Sequence, residues 1–472
     1  MAVTITELTA RMRRGEQINS RDTAYMVFVL SVPAILEQMV VTLMEYIDAA
    51  MVGRLGAQAT AAIGVVSSTT WLFHGIMVGL ATGFAVQVAQ YLGAQRETEA
   101  RGVFRQAIVF NLLAGAVMAV AGVLLSAPLP VWLGAEAAIQ PDACSYFRIW
   151  ALASPLNFGL AIYSALLRCS GDTRTPSLLN ALMCPLDILF NFFLINPTRT
   201  VTVFGRSVTI WGAGLGVTGA ALGTAAATAI AALLMLYCAA VRAPALALRH
   251  GGSWRFTHAC MRNVLRVGLP MVGERVALSS AQIILVRVVA SLGTVSIAAN
   301  SLAVNAEAIC YLSGYGIQAA AIALVGQAVG AGRKDIAKRF AWICTGAGIL
   351  LMGLTGVGLY LFSPQLMAVF TADAAVIALG AQVLRIEAFA EPLFGASIVA
   401  SGAMQGAGDS RAPFLINLLS MWGVRVTASA LLAPRWGLVG VWAAMCGELC
   451  IRGAVFLIRL ARGRWLEQSA LQ

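Results

Sequence analysis

The sequence predicts an all-α polytopic membrane protein, with twelve transmembrane helices in two pseudo-symmetric six-helix lobes. Three observations carry this expectation: an apolar excess, the length of the apolar stretches, and a second half that repeats the first. Apolar residues make up 59% of the 472 and charged residues 11%, against about 25% charged in an ordinary soluble domain. A spanning helix needs about 20 mostly apolar residues. Stretches of that kind fall near 25–50, 58–92, 104–126, 142–168, 176–195, 212–241, 264–290, 296–329, 339–362, 377–404, 413–433 and 437–460. Several exceed what a bilayer requires, so tilt or extension beyond the lipid is expected.

The net charge of +11 suggests nucleic acid until the charges are placed. Twelve spans leave both termini on one side. On that side fall Arg11, Arg13, Arg14, Arg21, Arg96, Arg101, Arg105, Arg168, Arg174, Arg242, Arg249, Arg333, Lys334, Lys338, Arg339, Arg459, Arg462 and Arg464. The opposite loops carry Arg54, Arg199, Arg206 and Arg435. Lys and Arg collect in cytoplasmic loops, so both termini are expected in the cytoplasm and the protein in the cell (inner) membrane. The basic excess is topology, and no nucleic-acid partner is expected. The first residues are polar and amphipathic, without the short apolar run and cleavage site of a removable signal. Nine cysteines show no CxxC or Cys/His ligand spacing, which favours buried free thiols over disulfides or a metal site.

Shifted by 237 residues, the sequence matches itself without a gap from the first span into the fifth. Pro33 falls on Pro270, Glu37 on Glu274, Gln90 on Gln327, Gly93 on Gly330, Pro155 on Pro392, and Gly171–Asp172 on Gly408–Asp409. The register becomes 221 only after the fifth span, which places the extra residues near 196–211, outside the membrane. Six spans per half give both halves the same orientation, related by an axis along the membrane normal. The expected organisation is a tail (1–24), a first lobe (25–241), a solvated cytoplasmic linker (242–262), a second lobe (263–460) and a second tail (461–472). Such repeats hold substrate near the midplane between the halves, so a two-lobed secondary transporter is expected.

The repeated pattern resembles the multidrug and toxic compound extrusion (MATE) family. The first span and its exit read VPAILEQMVVTLMEYIDAAMVGRLGAQATAAIG, with the family's Pro, embedded Asp and VGRLG ending. The second span closes with AVQVAQYLGAQ and its repeat with IALVGQAVGAGR; LLRCSGDTRTP and AMQGAGDSRAP look like the family's GDxR turns. The resemblance covers residues 25–460 and is specific in combination. It implies a V-shaped pair of lobes that expels small organic cations in exchange for H⁺ or Na⁺, with no other cofactor. The working unit is expected to be a monomer in the lipid bilayer.

Charged residues inside hydrocarbon cost several kcal/mol unless paired or facing water, so they mark candidate sites. The repeat adds a control, because residues that differ between matched positions are less tied to scaffold. Asp48 falls on Leu285, Glu45 on Gln282 and Asp187 on Val424; Glu387 falls on Trp150, Glu391 on Ser154, Arg287 on Ala50 and Arg425 on Ile188. An embedded acid without a nearby base must bind a proton, bind a cation, or pair across helices. Glu45 and Asp48 are three apart on one helix face. Glu37 lies roughly 20° off that face and roughly 16 Å along the axis from Asp48. The alternative for Asp48 is a salt bridge to Arg54 or an interfacial position. Glu37, matched by Glu274, is expected to be structural or to gate, and the matched Pro155 and Pro392 to kink the fourth and tenth helices. Asp187 follows Pro185, which frees the carbonyl of Ala181 and is expected to break the fifth helix. The resemblance implies that Asp187 joins Asp48, with Asn180, Asn191 and Thr224 as neighbours. Met183 stands where many members place an Asn, which counts against Na⁺ more than against a proton.

In the second half, Glu387, Glu391 and Glu307 are candidates for substrate binding. The competing reading of Glu387 and Glu391 is a buried pair neutralised by Arg385, Arg425 or Arg287. Glu448 is expected to pair with Arg452 one turn on. A lone His74 is expected to be a packed or hydrogen-bonded core histidine rather than a proton relay. Met39, Met44, Trp71, Phe73, Met77, Phe158, Tyr311 and Tyr315 are available for cation–π contact with flat cations, although each alone is more simply a packing residue. Two other functions compete. A lipid-linked or polysaccharide flippase of the same superfamily would carry extra spans and a strongly cationic cleft. An integral-membrane enzyme would need convergent catalytic groups, which histidines scattered at 74, 250 and 258 and short outer loops do not supply. No polar filter segment suggests a channel.

Overall fold

A computed structural model describes residues 5–14, 16–203, 206–248 and 251–467. Arg249 and His250 of the linker and tail residues 1–4 and 468–472 lie outside the described residues. The first half runs α1 (Ile5–Arg13), α2 (Ser20–Gly53), α3 (Ala57–Gly93), α4 (Glu97–Leu125), α5 (Pro128–Trp132), α6 (Gln140–Leu152), α7 (Ser154–Cys169) and α8 (Arg174–Ile195). Strands β1 (Pro197–Val203) and β2 (Arg206–Ala213) follow, then α9 (Gly216–Tyr237), which continues as a π-helical turn over Cys238–Arg242. The second half runs α10 (His258–Ala290), α11 (Thr294–Gly330), α12 (Lys334–Phe370), α13 (Ala374–Glu387), α14 (Glu391–Ala407) and α15 (Arg411–Leu419). A π-helical stretch (Ser420–Val426), α16 (Thr427–Arg462) and a 3₁₀ turn (Arg464–Glu467) complete it.

Among the described residues nine helices are long and apolar enough to cross a membrane, or ten if α6 and α7 form one bent span. Each stretch assigned from sequence is helical over most of its length. Outward-facing side chains suit lipid: on α4, Leu112, Leu113, Val117, Val120 and Leu124 are each more than half exposed. Apolar side chains aligned along one helix face in this way would be costly against water. All nine cysteines are free thiols.

The departures from expectation have local causes. The fourth span bends by 47° between α6 and α7, and the tenth is likewise two helices, α13 and α14. Pro155 and Pro392 sit in the first turn of α7 and α14 rather than in a helix interior. There the missing N–H has no intrahelical acceptor to lose. The expected break at Pro185 does not occur, since α8 runs through it unbroken. The residues near 196–211 form an antiparallel hairpin pairing Thr200 with Thr209 and Val201 with Val208. Alternating β-branched residues suit that pleat, so the all-α expectation has this one small exception. Residues 212 and 213 accordingly belong to β2, and the sixth span starts at Gly216. The last two spans are divided at Gly437, the one residue inside α16 with non-helical angles (φ 58°, ψ −140°).

The linker is not simply solvated. Leu246 and Ala247 are buried, Arg101 donates to the Pro244 carbonyl at 3.1 Å, and Gln106 Oε1 accepts from the Thr257 N–H at 2.8 Å. The matched GDxR turns are built alike: Asp172 accepts from the N–H of Thr175 at 3.0 Å, and Asp409 from that of Ala412 at 3.3 Å. Asp409 also pairs with Arg459.

The chain forms two compact units. One comprises Met1–Met39, Ala85–Glu97 and Ala259–Gln472; the other comprises Val40–Phe84 and Thr98–His258. The division therefore passes through α2 and α3 as well as near the linker. The largest apolar core of the first unit joins Met26, Val27 and Leu30 of α2 to Phe340 of α12, Met404 of α14 and Phe456 of α16.

Candidate functional site

Two clusters of embedded acids stand out, one in each unit. In the unit built from Val40–Phe84 and Thr98–His258, α2 supplies Asp48 and α8 supplies Asp187 and Asn191. Asn191 Nδ2 donates to Asp48 Oδ1 at 2.8 Å and to Asp187 Oδ2 at 3.1 Å. One amide therefore holds both carboxylates. Asp187 and Asn191 are 1% and 0% exposed, and Asp48 is half-buried. No basic side chain among the described residues forms an ion pair with either acid, so the expected alternative of an Asp48–Arg54 bridge is not realised. Two like charges bridged by a single amide repel, and one proton or cation between them relieves the repulsion. Asp187 Oδ1 and Asn191 Oδ1 are buried and accept no hydrogen bond, which leaves acceptor capacity facing inward.

The backbone explains how Asn191 reaches both acids. Asn191 and Asp187 are one turn apart on α8, on the face toward α9. Helix α9 meets that face through Gly219 and Gly223, a small-xxx-small pair that lets helices approach closely. A Cβ on Gly223 would lie 2.1 Å from Asn191 Oδ1. Thr224, next along α9, has its hydroxyl within hydrogen-bonding reach of Asp187. Tyr146 of α6 lies within electrostatic reach of both carboxylates. Sequence reasoning had not singled out Tyr146 or Gly223, although the GxxxG spacing of 219–223 was available as a packing signal. Glu45, the other carboxylate expected at the coupling site, shares the α2 face with Asp48 and lies within electrostatic reach of it, with its side chain exposed. Asn180 is buried roughly 10 Å along the α8 axis from Asp187, at 1.5 Å per residue. Met183 instead packs inside and accepts from the Thr228 hydroxyl at 3.8 Å.

Gly223→Val is expected to displace the Asn191 amide and leave the two carboxylates unbridged. Overpacking of this kind costs about 1–3 kcal/mol, which a protein of this size can absorb. The expected outcome is a folded, monodisperse protein whose ion-driven transport falls about tenfold. Size-exclusion chromatography alongside vesicle transport checks it.

The second cluster lies in the other unit. Glu307 (α11), Glu387 (end of α13), Glu391 (start of α14) and Glu448 (α16) are all buried, with Glu387, Glu391 and Glu448 at 0%. Arg452 pairs with Glu448 at 3.1 Å, as expected one turn on, and lies over the Phe394 ring at 5.5 Å. The Ser420 hydroxyl also donates to Glu448. Arg425, on the π-helical stretch, is within electrostatic reach of Glu448, Glu387 and Glu307, but its one described hydrogen bond is a weak one to Met421 Sδ at 3.9 Å. The carboxylate oxygens of Glu387 and Glu391 are buried and accept no hydrogen bond of good geometry, with the Cys310 thiol within hydrogen-bonding reach of Glu391. Two of the three bases considered for neutralising them are elsewhere: Arg287 is exposed, and Arg385, also exposed, lies over the Tyr360 ring at 5.9 Å. Four acids thus face two guanidinium groups, one of which is committed to Glu448. A buried carboxylate without a partner is costly, so this cluster favours added positive charge.

Glu274 of α10 lies within electrostatic reach of Arg452 in the second cluster. Glu274 accepts from Asn417 at 2.8 Å, its match Glu37 is 4% exposed, and His74 is exposed with its ring edge-on to Trp71 at 5.9 Å. His74 therefore lies outside the core position expected for it.

Comparison with known proteins gives a consistent result. The MatE family model matches residues 33–193 and 270–431, one match in each repeat. A probable multidrug resistance protein NorM of Thermotoga maritima is 24% identical over 458 residues, covering 94% of this chain and 93% of that protein. One of the same name from Xanthomonas campestris is 28% identical, covering 88% of each chain. Among solved structures, an outward-facing multidrug resistance MATE family transporter superposes with a TM-score of 0.86, at 19% identity over 98% of this chain and all of that one. A transporter of the same superfamily from Pyrococcus furiosus gives 0.85 at 19% identity, covering 99% of this chain and all of that one. These structures share the fold. With the family model matched in both repeats and relatives aligned nearly end to end, this chain belongs to the MatE family of membrane transporters and is not an enzyme.

Proposed function

We propose that this transporter exports small organic cations in exchange for inward H⁺ or Na⁺. Asp48 and Asp187, with Asn191 and Thr224, hold the coupling ion, and Glu387, Glu391 and Glu307 draw the substrate. The observation that carries this reading is the pair of embedded carboxylates bridged by one amide with no base in an ion pair. Such a pair is suited to gain and lose a single small cation, whereas a lipid-pyrophosphate flippase would need embedded positive charge instead. The names of the relatives, multidrug resistance proteins, support the same substrate class. Met183 supplies no oxygen ligand, which favours H⁺ over Na⁺. The breaks at Pro155 and Pro392 supply bending points for the cycle, and the matched Glu37 and Glu274 serve as structural or gating residues within α2 and α10, Glu274 through its hydrogen bond from Asn417.

The test is transport into proteoliposomes under separately imposed pH and Na⁺ gradients, over a panel of organic cations and neutral analogues. Accumulation of cations driven by a pH gradient is expected. Equal movement of neutral analogues, or movement indifferent to both gradients, overturns the reading. The asymmetry of Lys and Arg further supports an inner-membrane protein with both termini on the cytoplasmic side. Cysteines engineered beside Arg14 and Arg464 are expected to react with an impermeant maleimide only after permeabilisation. Labelling of either in intact cells contradicts that orientation.

A further inference from the structure

The segment that precedes the first span is built into the protein. Leu8 and Met12, one turn apart on α1, are 1% and 0% exposed, and Ile18 beyond the helix is 4% exposed. All three enter the apolar core that contains Ile336, Ala337 and Phe340 at the start of α12 and Leu460, Trp465 and Leu466 at the end of the chain. Two arginines of the second repeat hold its backbone: Arg333 Nη1 donates to the Glu16 carbonyl at 3.0 Å, and Arg339 Nη1 to the Ile18 carbonyl at 2.6 Å. Asp335 fixes the Arg333 guanidinium through two bonds of 3.0 and 2.9 Å. The charged side of α1 is satisfied within itself, Glu7 with Arg11 and Arg14, and Arg14 with Glu16. The segment therefore has an apolar side seated on the second repeat and a polar side complete without it.

Close by, the matched ends of α3 and α11 touch backbone to backbone. A Cβ on Gly93 would lie 2.0 Å from the Gln327 carbonyl oxygen, and one on Gly330 would lie 1.9 Å from that of Gln90. Gln90 Nε2 also donates to the Gly406 carbonyl at 3.1 Å. The end of α3 is thus shut against α11 and α14 within the unit that carries both termini. The N-terminal segment lies on the second-repeat side of this closure and continues directly into α2.

We propose that residues 5–18 are a latch that keeps this end closed. Alternating access requires each end to open in turn. Opening here must separate α2 from α12 and α16, and the 5–18 segment spans that separation. The latch must therefore release from α12 whenever this end opens. This inference rests on the transport reading, and the parent protein's own transport activity tests that reading independently.

The experiment places cysteines by Glu16→Cys and Arg333→Cys in a background lacking the native cysteines, joined by a bismaleimide with a reducible spacer. Each single-cysteine protein, treated identically, serves as control. Joined protein is expected to bind an organic cation yet transport at least about tenfold more slowly, with recovery on reduction. A second variant, Leu8→Asp with Met12→Asp, unseats the latch. In it, a cysteine at the buried Ala328 position is expected to react with a maleimide several-fold faster than in the parent, in protein that remains monodisperse. Parental transport by the joined protein overturns the proposal, as does unchanged reactivity at position 328. If the parent itself fails to transport any cation, the functional reading fails instead, and the reactivity arm still decides whether the segment closes this end.

Discussion

Replacing Asp48 with Asn is expected to abolish gradient-driven export while the protein still folds. The side chain keeps its size, and Asn191 can turn its amide to present oxygen or nitrogen to a neutral neighbour. What disappears is the second negative charge at the shared amide, and with it the need for a bound proton or cation. Transport driven by an imposed gradient is expected to fall below about a tenth of the parental rate, because an ion can bias the conformational equilibrium only through differential binding. Substrate binding is expected to survive, since the second cluster lies in the other unit and is unchanged. Asp187→Asn is expected to give the same defect, and the double variant little more than either alone, because the two acids act as one site. Rates near parental in Asp48→Asn would reduce that carboxylate to scaffold. The search for the coupling residue would then pass to Glu307, Glu387 and Glu391.

The second large effect is expected at the acids of the second unit. Glu387 and Glu391 are fully buried, and the one side-chain donor within hydrogen-bonding reach of Glu391 among the described residues is the weak Cys310 thiol. Their charge is therefore tolerable only with added cations nearby. If an organic cation is one of these, Glu391→Gln is expected to weaken its binding about tenfold, or about 1.4 kcal/mol, without affecting neutral analogues. Glu387→Gln should act in the same direction, more weakly, because Arg425 is close to it and not to Glu391 among the described interactions. Calorimetric titration of purified variants with paired charged and neutral ligands separates the effects. A rise in thermal stability with no change in affinity would mean that both acids are buried charges without a ligand role.

Much of the architecture was legible because it depends on quantities a sequence displays openly. Span length and apolar content are local, and the 237-residue repeat carried Pro155 and Pro392 together, so their matched breaks could be anticipated. Their form could not, since an interior kink and a first-turn proline differ only in whether the preceding helix stops. Pro185 shows the converse: a proline alone did not end α8. The hairpin at 197–213 was visible as an insertion but not as strands, although Thr200–Val203 and Val208–Ile210 are runs of β-branched residues, because it is short and lies between two apolar spans. At the site, Asp48 and Asp187 were legible as unmatched acids. The amide that joins them was one of several candidates, and it could be chosen only once α8 and α9 were packed through Gly223. Glu391 was visible for the same reason as Asp48, but its isolation from Arg385 and Arg287 depends on where exposed helix faces point.

The central claim is that Asp48 and Asp187 together hold the ion exchanged for substrate. Purified protein in weakly buffered detergent solution, with a pH-sensitive dye and a Na⁺ electrode, reports this directly when an organic cation is added. The parent is expected to release about one proton per transporter on substrate binding, as linkage between the two sites requires. The Asp48→Asn, Asp187→Asn double variant is expected to bind the same cation and release none. Equal release from both proteins would contradict the account.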